Sequence, residues 1–270
     1  MQDWEYQWQH LIAPVLDTYF SPPSSSDAPS VHEPGTITLW DSAQVYTAVY
    51  NILTSNSHCP ISKDELGTPK EIAHPGAGAH FLQESLDRYL SVICQQSLSR
   101  LQAPHDEDPT PFLPRYFDAF TAYKASITSS QLRTAFSALE RYHNTHIRTA
   151  NYGWFARAEY SGLSPEDRET LQIRELQATY GLPSGDWTER DRRKAEKRAE
   201  VRSALSTPVG LEAMGLRRWR LDVAEPLLKT ASGLGTIKRL ESAGNSESLI
   251  RQLGEALGEV GMEEVLGVDC

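Results

Sequence analysis

An all-α bundle is the fold this sequence predicts. Apolar residues recur at three- and four-residue spacings along most of the chain. Period-two alternation persists nowhere, and helix-start signatures stand ahead of several of the periodic stretches. The clearest stretch covers residues 39–55. Leu39, Ala43, Tyr46, Tyr50 and Leu53 form one helical stripe, and Val45, Ala48, Val49 and Ile52 form a second beside it. Together they cover well over half the circumference, whereas a surface helix needs only about 100° of apolar face to reach a core. Such a helix is buried on two sides, or it buries one side and offers the other to a partner. An ordinary core helix whose tyrosines lean over a neighbour also satisfies the pattern. The Tyr46/Tyr50 edge suits an offered face, because tyrosine joins apolar area to a polar tip.

Ahead of that stretch, Trp4, Trp8, Leu11, Val15 and Tyr19 set out a first helix, which Pro14 should kink or split. Residues 21–35 are Ser/Pro-rich and low in hydrophobicity, as in a linker. Residues 56–79 carry Pro60, Pro69, Pro75, Gly76 and Gly78 and read as a loop. The next helix is expected over about residues 80–96, with Leu82, Leu86, Tyr89 and Ile93 on one face. Residues 104–109 form an acidic turn between two prolines and lack calcium-loop spacing. Leu113, Tyr116, Phe117, Phe120 and Tyr123 mark a further helix. Ser129/Ser130 can cap its successor, which carries Leu132, Phe136, Leu139, His143 and His146 and ends near Arg148. Three apart, His143 and His146 share a face of a regular helix. No HExxH motif or cysteine accompanies them, so they read as partly buried or interfacial rather than as zinc ligands.

Past Asn151–Trp154, which breaks the pattern, Ser164-Pro165-Glu166-Asp167 is a helix start: cap, proline at the first position, acids in the first turn. Gly181 should close that helix. Asp186-Trp187-Thr188-Glu189 has the form of a capping box for a basic helix reaching about Ser206. In that helix Arg192, Arg193, Lys194, Lys197 and Arg198 interleave with Asp191, Glu196 and Glu200, which favours i,i+4 pairing over a nucleic-acid surface. Thr207-Pro208 should start another helix through Leu211, Met214, Leu216, Trp219, Val223 and Leu227, stopped by Pro226. Two short helices follow, one on Leu234, Ile237 and Leu240 and one on Leu249, Ile250, Leu253 and Leu257. Gly244, Gly254, Gly258 and Gly261 weaken their packing.

At 270 residues the chain is long enough for a substantial core. Its net charge of −10 disfavours nucleic acid and anionic membrane as partners. Cys59, Cys94 and Cys270 form no CxxC pair, which argues for a reducing interior and against a disulfide framework. No apolar run reaches the roughly 18 residues of a membrane span, and the acidic N-terminus lacks a signal-peptide pattern. An intracellular protein of cytoplasm or nucleus is the expectation. No nucleophile elbow, Walker loop, dinucleotide fingerprint or zinc-protease motif is present. The glycine-rich Pro75-Gly76-Ala77-Gly78-Ala79 lacks the lysine of a phosphate loop, and Cys59 lacks a placed base. No enzyme, cofactor or metal site is expected.

Val45-Tyr46-Thr47-Ala48-Val49-Tyr50-Asn51-Ile52-Leu53-Thr54-Ser55 resembles the second helix of cullins, typically leucine-tyrosine-threonine-x-valine-tyrosine-asparagine followed by threonine-serine. In the same order, Trp4 to Tyr19 is similar to the first cullin helix and Gly78–Leu82 with Leu86–Leu90 to the third. Tyr116 with Phe120–Tyr123 resembles the fourth, Tyr142–His146 the fifth, and Leu216–Asp222 the opening of a second cullin repeat. His143 and Thr145 stand where the fifth helix usually has leucine and arginine, and residues 152–206 exceed the usual link. The resemblance implies a five-helix first cullin-like repeat over residues 1–150, which would bind an adaptor. A charged helical insertion over 151–206 and a partial second repeat over 207–270 would follow.

By the same resemblance the second and fifth helices dock an Skp1- or BTB-type adaptor. Tyr46 and Tyr50 are then central anchors, with Ala43 and Thr47 beside them and Tyr142 and His146 from the fifth helix. The half of a cullin that binds a RING protein and carries the lysine modified by NEDD8 is not in this sequence. The implied function is a non-catalytic scaffold fragment that competes with full-length cullin for its adaptor. The alternative is a degenerate remnant, or an incomplete gene model, without adaptor binding.

Overall fold

A computed structural model of the chain describes residues 4–20, 35–55, 76–102, 112–148, 162–180, 188–228 and 247–262. Every element in them is helical and no strand occurs among the described residues, so the fold is an all-α bundle. The first helix, α1, spans residues 4–20 without a break. Pro14 was expected to kink or split it; instead a wide turn over Trp8–Ile12 precedes the proline, in which the Ala13 N–H donates to the Trp8 carbonyl five residues back. In a regular α-helix the proline ring would press on the carbonyl four residues back, and a wider turn gives it room.

Helix α2 (Leu39–Thr54) is capped as its sequence requires. Thr38 Oγ1 accepts from the Asp41 N–H at 3.1 Å and donates to the Asp41 carboxylate at 2.6 Å. Helix α3 (Ala77–Gln102) is longer at both ends than the sequence predicted. It takes in Gly78 and Ala79 from the expected loop, and residue 78 is glycine because a side chain there would collide with the Ile52 carbonyl of α2. The glycine serves a close helix crossing, not a phosphate. Helix α4 is Phe112–Thr128. The single helix expected over residues 130–148 is divided at Phe136 into α5 (Ser130–Ala135), capped by Ser129, and α6 (Ser137–Tyr142), which runs on through a wide turn over His143–Arg148.

Helix α7 (Pro165–Tyr180) begins on the Ser164 cap, which accepts from the Asp167 N–H at 3.1 Å. The capping box of α8 (Glu189–Arg202) lies two residues later than predicted, between Thr188 and Asp191, and the helix ends four residues sooner. Helix α9 spans residues 211–228. It begins after Gly210 rather than at Thr207, and it passes through Pro226 by the device seen at Pro14. A wide turn over Arg220–Ala224 precedes the proline, with the Glu225 N–H bonded to the Arg220 carbonyl. Helix α10 (Glu247–Glu259) ends in a Schellman arrangement, where Gly261 takes φ +72° and the Met262 N–H donates to the Leu257 carbonyl at 2.8 Å. The other short helix expected near the C-terminus, like the 104–109 turn, Asn151–Trp154, Gly181 and Gly244, lies outside the described residues.

One hydrophobic cluster runs through the bundle from Trp8 to Met262. Helix α2 packs against α1, α3, α5 and α6, while α9 packs against α3, α4 and α8. At the heart of the cluster Trp219 of α9 is fully buried among the rings of Tyr116, Phe120 and Tyr123 of α4. Its Nε1–H donates to Tyr116 Oη at 3.2 Å, and the Tyr123 hydroxyl donates to the Gly215 carbonyl at 3.1 Å. Burial thus comes with hydrogen-bonded polar tips. Helix α7 rests on α8 through a small satellite cluster of Leu176, Ala195 and Ala199.

These buried phenols make the fold sensitive to alkali. Burial pushes Tyr116 up to about 12 from its ordinary value of 10, partly offset by the bond from Trp219, and burial raises Tyr123 well above that ordinary value. For an acid whose pKa is higher in the folded state, the stabilisation is intact below the unfolded value and is lost as pH rises toward the folded one. Stability should therefore fall as pH climbs from 10 through about 12 at Tyr116. The slope should approach about 1.4 kcal/mol per pH unit for each such phenol. A tyrosinate absorbance titration followed beside helical circular dichroism checks this, since the last tyrosines should ionise only as helicity is lost.

Candidate docking face on helix α2

The two stripes of α2 part company in the structure. Val45, Ala48, Val49 and Ile52 are buried, each exposing 1% or less. On the other side Leu39 is 87% exposed, Trp40 77% and Tyr50 50%; Ala43 and Thr47 are exposed, and Tyr46 and Leu53 are half-buried. Helix α2 therefore lies between the arrangements left open by the pattern: Tyr46 and Leu53 lean against the core, while Leu39, Ala43 and Tyr50 are left to solvent. Tyr46 and Tyr50 stack with centroids 6.3 Å apart and planes 18° from parallel. Thr47 Oγ1 donates to the Ala43 carbonyl at 2.8 Å, so its polar group is engaged with its own helix.

Tyr142 and His146 lie on α6 and the wide turn that prolongs it, and α6 packs along α2. Their rings are 4.7 Å apart. His146 is exposed and Tyr142 half-buried. A side chain at Gly76 would overlap the Tyr142 hydroxyl, so this phenol leans over the start of α3. No ring contact joins the Tyr142/His146 pair to the Tyr46/Tyr50 pair among the described residues.

His143 and His146 do not share a face. The wide turn over 143–148 changes the angular step per residue; His143 is 2% exposed and His146 is exposed. No group of three or more His, Cys, Asp or Glu side chains among the described residues could hold a metal ion. Three of the basic residues of α8 are drawn into pairs: Arg192 with Glu196 and Glu169, Arg193 with Glu189, and Lys197 with Glu212. Burial pushes the Cys94 thiol up to about 12, which leaves it un-ionised and unreactive at neutral pH. Cys59 and Cys270 lie outside the described residues. No helix among the described residues is long and apolar enough to cross a membrane.

Two features escaped the sequence reading. Trp40 belongs to neither apolar stripe, yet it opens a 3-4-3 spacing with Ala43, Thr47 and Tyr50 along the exposed side. The second is a charged cluster between α3 and α9. Arg218 pairs closely with Asp87 and lies 3.6 Å from Asp222, and Arg217 is 3.7 Å from Asp87. The Arg217 guanidinium, 2% exposed, also donates to the carbonyls of Ala204 at 2.8 Å and Thr207 at 3.0 Å. Burial prevails at Arg217 and lowers its pKa. At Arg218 burial works the same way but is outweighed by the bond and charge of Asp87 and the charge of Asp222, so its pKa is raised. This cluster floors an open cleft of about 420 Å³ between α3 and residues 205–209. Its charges face one another and the loop carbonyls.

Compared with protein-family models, with curated proteins and with solved structures, the chain has no match.

Proposed function

We propose that the chain is a non-catalytic, cullin-like scaffold fragment that docks an Skp1- or BTB-type adaptor through the outer side of α2 and competes with full-length cullin for it. The supporting observation is the division of α2. The segment with the closest cullin resemblance buries one stripe completely and leaves Tyr50 half exposed, stacked on Tyr46, which itself leans on the edge of the core. Tyr46 and Tyr50 are the central anchors in this reading, Ala43 and Thr47 let the partner approach, and Tyr142 and His146 extend the surface onto α6. Large aromatics at the centre of an interface carry most of its energy, about 2 kcal/mol or more each on truncation.

The test is a pull-down of the purified chain against Skp1-type and BTB-type adaptors, followed by calorimetry on the complex. Tyr46→Ala combined with Tyr50→Ala should weaken binding by about 4 kcal/mol, on the order of 10³-fold, with helicity unchanged. Full-length cullin should displace the wild-type chain. Undiminished affinity in the double variant would remove the proposed surface.

A further inference from the structure

The exposed side of α2 has a property that adaptor docking does not require: it complements itself. Trp40, Ala43, Thr47 and Tyr50 follow one another at intervals of three, four and three, the spacing of a helix–helix seam. All four are exposed. The order is large, small, small, large, and it reads the same from either end. We infer that this face is where a second copy of the chain docks, with the two α2 helices antiparallel about a two-fold axis at the level of Val45. That axis sets Trp40 against the partner's Tyr50 and Ala43 against the partner's Thr47, each contact occurring twice, as an isologous interface demands. The small central residues let the backbones approach, and Thr47, its hydroxyl bonded to the Ala43 carbonyl, presents its methyl group.

Charge permits this occupant at this face and disfavours it elsewhere. Each copy carries a net charge of −10, so most faces of two copies repel. Helix α2 carries a single charged side chain, Asp41. In the antiparallel arrangement the two Asp41 residues stand about 12 Å apart along the helix axis, beyond the Debye length of about 8 Å at physiological salt. The contact is one helix wide. It belongs with the small specific interfaces, under about 1,200 Å² in total, and the dimer depends on concentration. The dimer does not rest on the adaptor reading; because both use one face, a second copy and an adaptor exclude each other.

Sedimentation of the full chain alone, without adaptor, tests the dimer. The wild-type mass should rise from 30.2 kDa toward twice that value, with a Kd on the order of 1–10 micromolar. Ala43→Glu and Thr47→Lys should each abolish the rise, because each places a desolvated charge against an uncharged residue. The two substitutions together should restore it, because the two-fold axis brings every new carboxylate to a new ammonium. Trp40→Glu, at a position already 77% exposed, should also give a monomer and guards against loss through misfolding, with helicity recorded for each variant. A wild-type chain that stays at 30.2 kDa throughout overturns the proposal. So does a dimer that persists in the single variants, or a double variant that remains monomeric. Adaptor pull-down below the dimer Kd reads the other proposal separately.

Discussion

Replacing Asp87 with alanine is expected to destabilise the fold by about 3–5 kcal/mol, the range for removing one partner of a buried ion pair. Asp87 is the only carboxylate on α3 that meets the guanidinium groups of Arg217 and Arg218. Without it Arg217, 2% exposed, keeps the loop carbonyls and the hydroxyl of Ser203 as its partners among the described residues. Arg218 keeps Asp222 at 3.6 Å. Urea unfolding of Asp87→Ala should show the loss in its midpoint. Adding Arg217→Met should recover part of it, since a well-packed apolar side chain often replaces a buried ion without penalty. A change below about 1 kcal/mol in the single variant would mean that the loop carbonyls at Arg217 and Asp222 at Arg218 suffice without Asp87.

Trp219→Ala is the second large effect, about 3–5 kcal/mol, because it removes the largest fully buried side chain among the described residues and empties the space between three aromatic rings of α4. Trp219→Phe keeps most of the apolar contact but leaves Tyr116 without its donor, and should cost about 1–2 kcal/mol. Thermal unfolding followed by circular dichroism separates the two. Equal losses would make the hydrogen bond, not the ring volume, the source of the stabilisation.

Only the first of these changes falls where the sequence is hard to read. Local signals served well: the Ser129 and Ser164 caps, the buried stripe of α2 and the apolar course of α4 all lie where their short-range patterns put them. Asp87 and Arg218 are 131 residues apart, and no spacing rule links them before the helices pack. The same holds for Gly76 under Tyr142 and Gly78 against Ile52, where glycines that look like loop punctuation are contact points between helices. The candidate docking face was half legible. Its tyrosines stand out as apolar excess, but Trp40 falls outside both stripes. The unlike fates of His143 and His146 depend on a wide turn that no local residue pattern announced.

The wide turns ahead of Pro14 and Pro226 bear on how this sequence can change. Each amounts to one surplus residue lodged within a helix, and each is matched to a proline that has no amide hydrogen to give. Delete a residue from the turn and the pyrrolidine ring meets a carbonyl, a clash worth about 3 kcal/mol. Replace the proline alone, and ordinary helical pitch becomes a competing state that shifts everything upstream by one position. Insertion and proline are therefore tolerated as a unit. Across divergent versions of the chain, the two should be gained or lost together.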